Sequence, residues 1–141
     1  MYKFLILTGV NLCFFYFGSA QNKTLIKLQA PLIKYMEFKD TILSEDKKIY
    51  KKCQKWALSK NDVYKLFSLA KQIKSEEKSQ LYYWLPCFYK STVLYKNDLY
   101  TIEINAASFI TLYNSKTTLY FGCSCDLCLK YFILAGGNAS E

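Results

Sequence analysis

The sequence predicts an α+β fold: an antiparallel β-meander of about five short strands, with at least one amphipathic helix packed on it and disulfides stapling the two together. Three observations predict it. An apolar stripe at helical spacing runs from Val63 to Ile73 behind a capping motif at Ser59. From Leu81 onward, short apolar runs alternate with polar turns. Cys53, Cys87, Cys123, Cys125 and Cys128 fall at the borders of these segments.

The chain has 141 residues, a length that suits one domain. With 52% hydrophobic and 18% aromatic residues it has the material for a core, unlike a disordered chain. All 19 basic residues are Lys, and the sequence contains neither Arg nor His. The lack of His excludes Ser-His-Asp and Cys-His catalysis and any imidazole metal ligand. The lack of Arg excludes a bidentate clamp on carboxylate or phosphate and guanidinium reading of guanine. The net charge of +8 gives weak attraction to anionic surfaces. The excess of Lys, Tyr, Phe, Ile and Asn follows AT-rich codon usage, so no nucleic-acid partner is expected.

Residues 1–20 read as a signal peptide. Lys3 supplies a positive start, Phe4 to Phe17 is a mainly apolar run, and Gly18-Ser19-Ala20 places small residues before a cut expected between Ala20 and Gln21. The run falls short of the roughly 20 apolar residues of a membrane span. The alternative is an uncleaved N-terminal anchor. Cleavage would leave residues 21–141 as a single α+β domain without stable membrane insertion, exported to the periplasm or beyond.

Within that domain, residues 21–46 are a poorly defined N-terminal segment. Leu32, Tyr35, Met36, Lys39, Ile42 and Leu43 at helical spacing predict a short helix after Pro31. Ile49, Cys53, Trp56 and Ala57 fit one face of a helix over residues 47–58. Ser59 and Asp62 then form a capping box, and Val63, Leu66, Phe67, Ala70 and Ile73 follow as the apolar stripe of a helix lying on the sheet. The polar stretch from Lys74 to Lys78, with Glu76 and Glu77, reads as loop.

Strands are expected at Leu81–Leu85, Thr92–Tyr95, Leu99–Ile104, Phe109–Tyr113, Thr117–Phe121 and Leu129–Leu134. Lys96-Asn97-Asp98 and Asn114-Ser115-Lys116 supply tight turns. In the third of these strands Tyr100, Ile102 and Ile104 point one way, and Thr101, Glu103 and Asn105 the other. Residues 135–141, beginning Ala135-Gly136-Gly137, read as a flexible tail.

Cysteine counting leaves the connectivity open. If the strands flanking Cys123-Ser124-Cys125-Asp126-Leu127-Cys128 pair as a hairpin, Cys123 and Cys128 face each other across its mouth, within disulfide reach. Cys53 and Cys87 then form the second bridge, worth on the order of 3–4 kcal/mol in the chain-entropy model. Cys125 is left as an odd thiol. Three alternatives compete: a four-thiolate zinc site built on Cys123, Cys125 and Cys128 plus Cys53 or Cys87, a redox dithiol at Cys125 and Cys128, and an interchain link through Cys125. With structural disulfides preferred, no cofactor and no metal are expected.

Glu103 is the one acid inside a well-defined strand, and no second carboxylate is placed opposite it, so no catalytic set is assembled. Tyr82, Tyr83, Trp84 and Tyr89 form a candidate binding surface for protein or sugar, because Tyr and Trp dominate interface hot spots. The competing role for these rings is to fill the space between helix and sheet.

The run Tyr100-Thr101-Ile102-Glu103-Ile104-Asn105-Ala106-Ala107-Ser108-Phe109, then Tyr120-Phe121-Gly122-Cys123, with Leu85-Pro86-Cys87, resembles small exported proteins of AT-rich Gram-negative bacteria. The likeness covers about Ser59 to Leu134, and proteins of this class include periplasmic immunity proteins, which neutralise a secreted antibacterial toxin by binding it. Its motifs are structural, so no functional residue is carried over. The resemblance implies an exported, non-enzymatic binding protein with a toxin-like protein partner. The alternatives are a thiol-redox or zinc-binding protein centred on the three clustered cysteines, and an envelope- or carbohydrate-binding module.

Overall fold

A computed structural model of the chain describes residues 25–38 and 44–137. The expected leader at 1–20, positions 39–43 of the expected helix after Pro31, and 138–141 of the expected tail lie outside the described residues.

The sheet grows from the turn between its two longest strands. Lys96 and Asn97 both take positive φ, 49° and 67°, which gives a two-residue hairpin turn whose twist matches that of the strands. It joins β4 (Cys87–Tyr95) to β5 (Asp98–Asn105) in unbroken register from Tyr95↔Asp98 to Phe88↔Asn105. Beyond β5 lie β6 (Phe109–Tyr113), β7 (Thr118–Gly122) and the short edge strand β3 (Lys71–Ile73), all antiparallel.

The other side of β4 carries two strands in line, β1 (Lys27–Leu28) and β2 (Ile33–Met36). Gln29 to Leu32 lie opposite only Ser91 and Thr92, so the edge bulges there. Pro31 has no N–H to give to a ladder and marks the break. The Ser91 hydroxyl donates to the Ala30 carbonyl at 2.7 Å and fills the gap. The expected helix after Pro31 is thus replaced by β2 over the described part. Leu32, Tyr35 and Met36 share helical spacing by coincidence, since Ile33 to Met36 alternate between exposed and half-buried as an edge strand does.

By register, one sheet face carries Leu28, Tyr89, Val93, Tyr100, Ile102, Ile104, Ile110, Leu112 and Phe121, all buried. Each Ile or Leu fully removed from water contributes about 1.5–3 kcal/mol. Two helices cover this face. The first, α1 (Ser44–Lys55), has a polar sequence and is held by the Cys53–Cys87 disulfide, by Trp56 edge-on to Tyr89, and by the Lys34 ammonium, which donates to the carbonyls of Gln54 and Trp56 at its C-terminal end. The second, α2 (Lys60–Leu69), begins at the expected capping box. Asp62 N–H donates to Ser59 Oγ at 3.1 Å, and Ser59 N–H donates to Asp62 Oδ2 at 2.8 Å. Val63, Leu66 and Phe67 are its buried stripe, with Phe67 against Tyr95 and Phe121. The helix ends before Ala70, and Ile73 belongs to β3.

Further differences from expectation fall between β3 and β4 and beyond β7. Glu76 and Glu77 lie in a helix, α3 (Ser75–Leu81), started by Lys74 N–H donating to Glu77 Oε2 at 2.9 Å. Leu81 ends this helix and residues 82–86 are irregular, so the strand expected at Leu81–Leu85 is absent, while the one expected at Thr92–Tyr95 starts earlier, at Cys87. The expected strand at Leu129–Leu134 is also absent. The one-turn helix α4 (Asp126–Leu129) takes its start, and Ile133 and Leu134 donate to the Ala106 carbonyl. The first part of the expected tail is docked, with Gly137 N–H donating to Leu81 O at 2.8 Å. A Cβ at Gly122 or Gly136 would collide with the Tyr82 ring, so these glycines let the chain close over it.

Both expected disulfides form, Cys53–Cys87 and Cys123–Cys128, each with Cα atoms 5.8 Å apart. The second forms without the expected hairpin, because the turn into α4 brings Cys128 back to Cys123 instead. Two such bridges place the chain in an oxidising, extracytoplasmic environment. Among the described residues, no helix is long and apolar enough to cross a membrane.

Candidate functional site

The four aromatic residues expected to form a binding surface divide into two pairs. Tyr82 and Tyr89 are 9% and 8% exposed and belong to the core. Tyr82 stands edge-on to Phe109 and fills the space over Gly122 and Gly136. Burial pushes its hydroxyl above the usual phenol range, against the lowering effect of Ser124 beside it. Tyr89 packs on Trp56, and its hydroxyl accepts from Leu58 N–H at 3.4 Å. Tyr83 and Trp84, by contrast, are 72% and 50% exposed.

The backbone directly after Tyr83 and Trp84 is held by Asn105, a fully buried side chain at the end of β5. Its Oδ1 accepts from Leu85 N–H at 3.1 Å and Ala107 N–H at 3.0 Å, and its Nδ2 donates to Leu85 O at 2.8 Å. Both backbone groups of Leu85 are therefore held by one amide. The next carbonyl, Pro86 O, accepts from Glu37 N–H at 2.7 Å, which ties the segment to the end of β2. There Tyr35 is exposed and stacked on Phe88 with ring centroids 5.5 Å apart, and Ile33 is exposed beside it on the edge strand. Alternation along β5 placed Asn105 on the polar face with Glu103. It offered no sign that this amide closes over an irregular segment twenty residues earlier.

Glu103 is engaged with Lys90 on the neighbouring strand at 3.2 Å. Burial works to lower the Lys90 ammonium, but the Glu103 hydrogen bond and charge outweigh it and raise the group. The ammonium also lies over the Phe88 and Tyr35 rings, at 4.9 and 5.5 Å from their centroids. The strand neighbours of Glu103 are Lys90 and Thr111, an arrangement that holds an aromatic edge in position.

The clustered cysteines meet at the start of α4. Cys123 and Cys128 are bridged and fully buried, while Cys125 is exposed and carries the odd thiol. Its Sγ lies 3.1 Å from Cys128 Sγ, and the three sulfurs lie within 4.8 Å of one another. A metal would need these sulfurs as thiolates, and as a disulfide Cys123 and Cys128 offer none.

Comparison of the chain with protein-family models, with curated proteins and with solved structures finds no match.

Proposed function

We propose that this chain is an exported, disulfide-stapled binding protein of the immunity or inhibitor type, which engages a protein partner through the Tyr83–Trp84 edge. The observation that carries this reading is the exposed Tyr-Trp pair set on a backbone that Asn105 and Glu37 hold fixed. Stability gains little from an exposed Trp, whereas Trp and Tyr are the side chains that most often dominate protein interfaces. A backbone already held by hydrogen bonds also loses less conformational freedom on binding, which favours affinity. Tyr35 and Ile33 on β2 extend the exposed apolar edge beside it.

The test compares wild-type protein with the Tyr83→Ala/Trp84→Ala double variant as bait in a periplasmic extract at physiological salt. Both side chains are largely exposed, so the variant folds. Wild type retains a specific protein, and the variant loses it by about 30-fold or more in affinity, as expected when hot-spot residues worth at least 2 kcal/mol are truncated. Retention of the same protein by both baits, or by neither, overturns the reading.

A further inference from the structure

Outside the aromatic edge, the densest reactive chemistry is the sulfur cluster at the start of α4. We propose that Cys123, Cys125 and Cys128 form an internal thiol–disulfide exchange centre, in which the odd thiol moves between exposed Cys125 and buried Cys123. The geometry is in place. Cys125 Sγ touches Cys128 Sγ at 3.1 Å, and Cys128 N–H donates to Cys125 O at 2.9 Å, which holds the two residues in one turn. The three sulfurs share a space under 5 Å across, so little backbone movement separates the two bridged forms.

The step balances without any outside oxidant or reductant. The Cys125 thiol gives up its proton, and its sulfur attacks Cys128 Sγ. A Cys125–Cys128 bond forms as the Cys123–Cys128 bond breaks, and the bonding pair leaves on Cys123 sulfur, which takes up a proton. The number of thiols and of disulfides is unchanged. What changes is exposure: Cys125 is open to solvent, and Cys123 is fully buried. In an oxidising environment an exposed thiol is open to mixed-disulfide formation, and its transfer to a buried position protects the chain from that fate. Exchange proceeds through the thiolate, so it accelerates as pH rises.

Two measurements on the full-length protein test this, both read on the tryptic peptide 117–130, which contains all three sulfurs. In the first, wild type is held at mildly alkaline pH, quenched in acid, denatured and blocked with N-ethylmaleimide. It is then reduced, alkylated with iodoacetamide and fragmented in a mass spectrometer. The maleimide is found on Cys123 as well as on Cys125, and its share on Cys123 is no lower than in a sample quenched before incubation. Label on Cys125 alone in both samples overturns the proposal. In the second, Cys123→Ser is blocked in the same way. Its peptide carries no maleimide, because Cys125 and Cys128 have bridged. Maleimide on both remaining cysteines shows that Cys125 cannot reach Cys128 and overturns the proposal even where wild-type labelling is ambiguous.

Discussion

Replacing Asn105 with Ala removes the one side chain that holds Leu85 by both its backbone groups. Three hydrogen bonds of 2.8–3.1 Å are lost at a fully buried position. Each bond contributes about 1 kcal/mol net, and each buried group left unpaired costs about 1–3 kcal/mol. Leu85 N–H, Leu85 O and Ala107 N–H are all orphaned unless the segment opens to water. The expected loss is therefore about 3–5 kcal/mol, a large part of the stability of an ordinary domain. Urea unfolding followed by far-UV circular dichroism measures it, with the slope m unchanged if the variant unfolds in one step. Hydrogen exchange at Leu85 and Ala107 amides rises in the same variant well below the unfolding transition. A loss below about 1 kcal/mol, with Leu85 exchange unaltered, would refute the claim that this amide positions the aromatic edge.

Two further outcomes follow from the tethers. Removal of the Cys53–Cys87 bridge by Cys53→Ser/Cys87→Ser, which opens a loop of sequence separation 34, costs about 3–4 kcal/mol by urea unfolding. Amides of α1 lose protection before those of β4–β6, because α1 buries few apolar side chains of its own. At the N-terminus of α2, hydrogen bonds from the Ser59 side chain and then its backbone hold the Asp62 carboxyl below its ordinary value of 3.8. A carboxylate with a depressed folded-state pKa stabilises the fold above its unfolded value, and that contribution is lost as pH falls below about 4. The acid side of the stability–pH curve is accordingly less steep in Asp62→Asn than in wild type, as thermal melts from neutral to acid pH will show.

Where apolar residues set the pattern, the fold was legible in the sequence. The Val63, Leu66, Phe67 stripe, the Tyr100, Ile102, Ile104 alternation and the Asn97 turn all report burial or backbone freedom directly, and each lies where the pattern put it. Both disulfides were legible too, although the Cys123–Cys128 pairing rested on a hairpin that does not exist. Leu129–Leu134 misled because a short apolar run fits a strand or a buried turn equally well. Helix α3 was hidden because Ser75–Leu81 buries no residue, so it has no stripe; its only local signs are acids in the first turn and Lys78 near the end. The candidate surface was legible as a group of rings, but not its division into buried Tyr82 and Tyr89 and exposed Tyr83 and Trp84. That division depends on Asn105, Gly122 and Gly136, residues distant in sequence whose partners only the folded chain reveals.

The aromatic edge and the sulfur cluster are joined by one short path. Tyr82 stands next to Tyr83 in the chain, and its hydroxyl lies beside Ser124, the residue between Cys123 and Cys125. The chain beyond α4 returns to this place, with Gly137 bonded to Leu81 and Gly136 packed on the Tyr82 ring. Little backbone movement separates the two bridged forms, and the Tyr82 ring beside them is closely confined, since Gly122 and Gly136 close on it from two directions. On the other side of the Tyr83–Trp84 pair, Asn105 holds Leu85 by both its backbone groups. Tyr83 and Trp84 thus sit between an anchor at Leu85 and a ring that lies beside the sulfur-bearing turn.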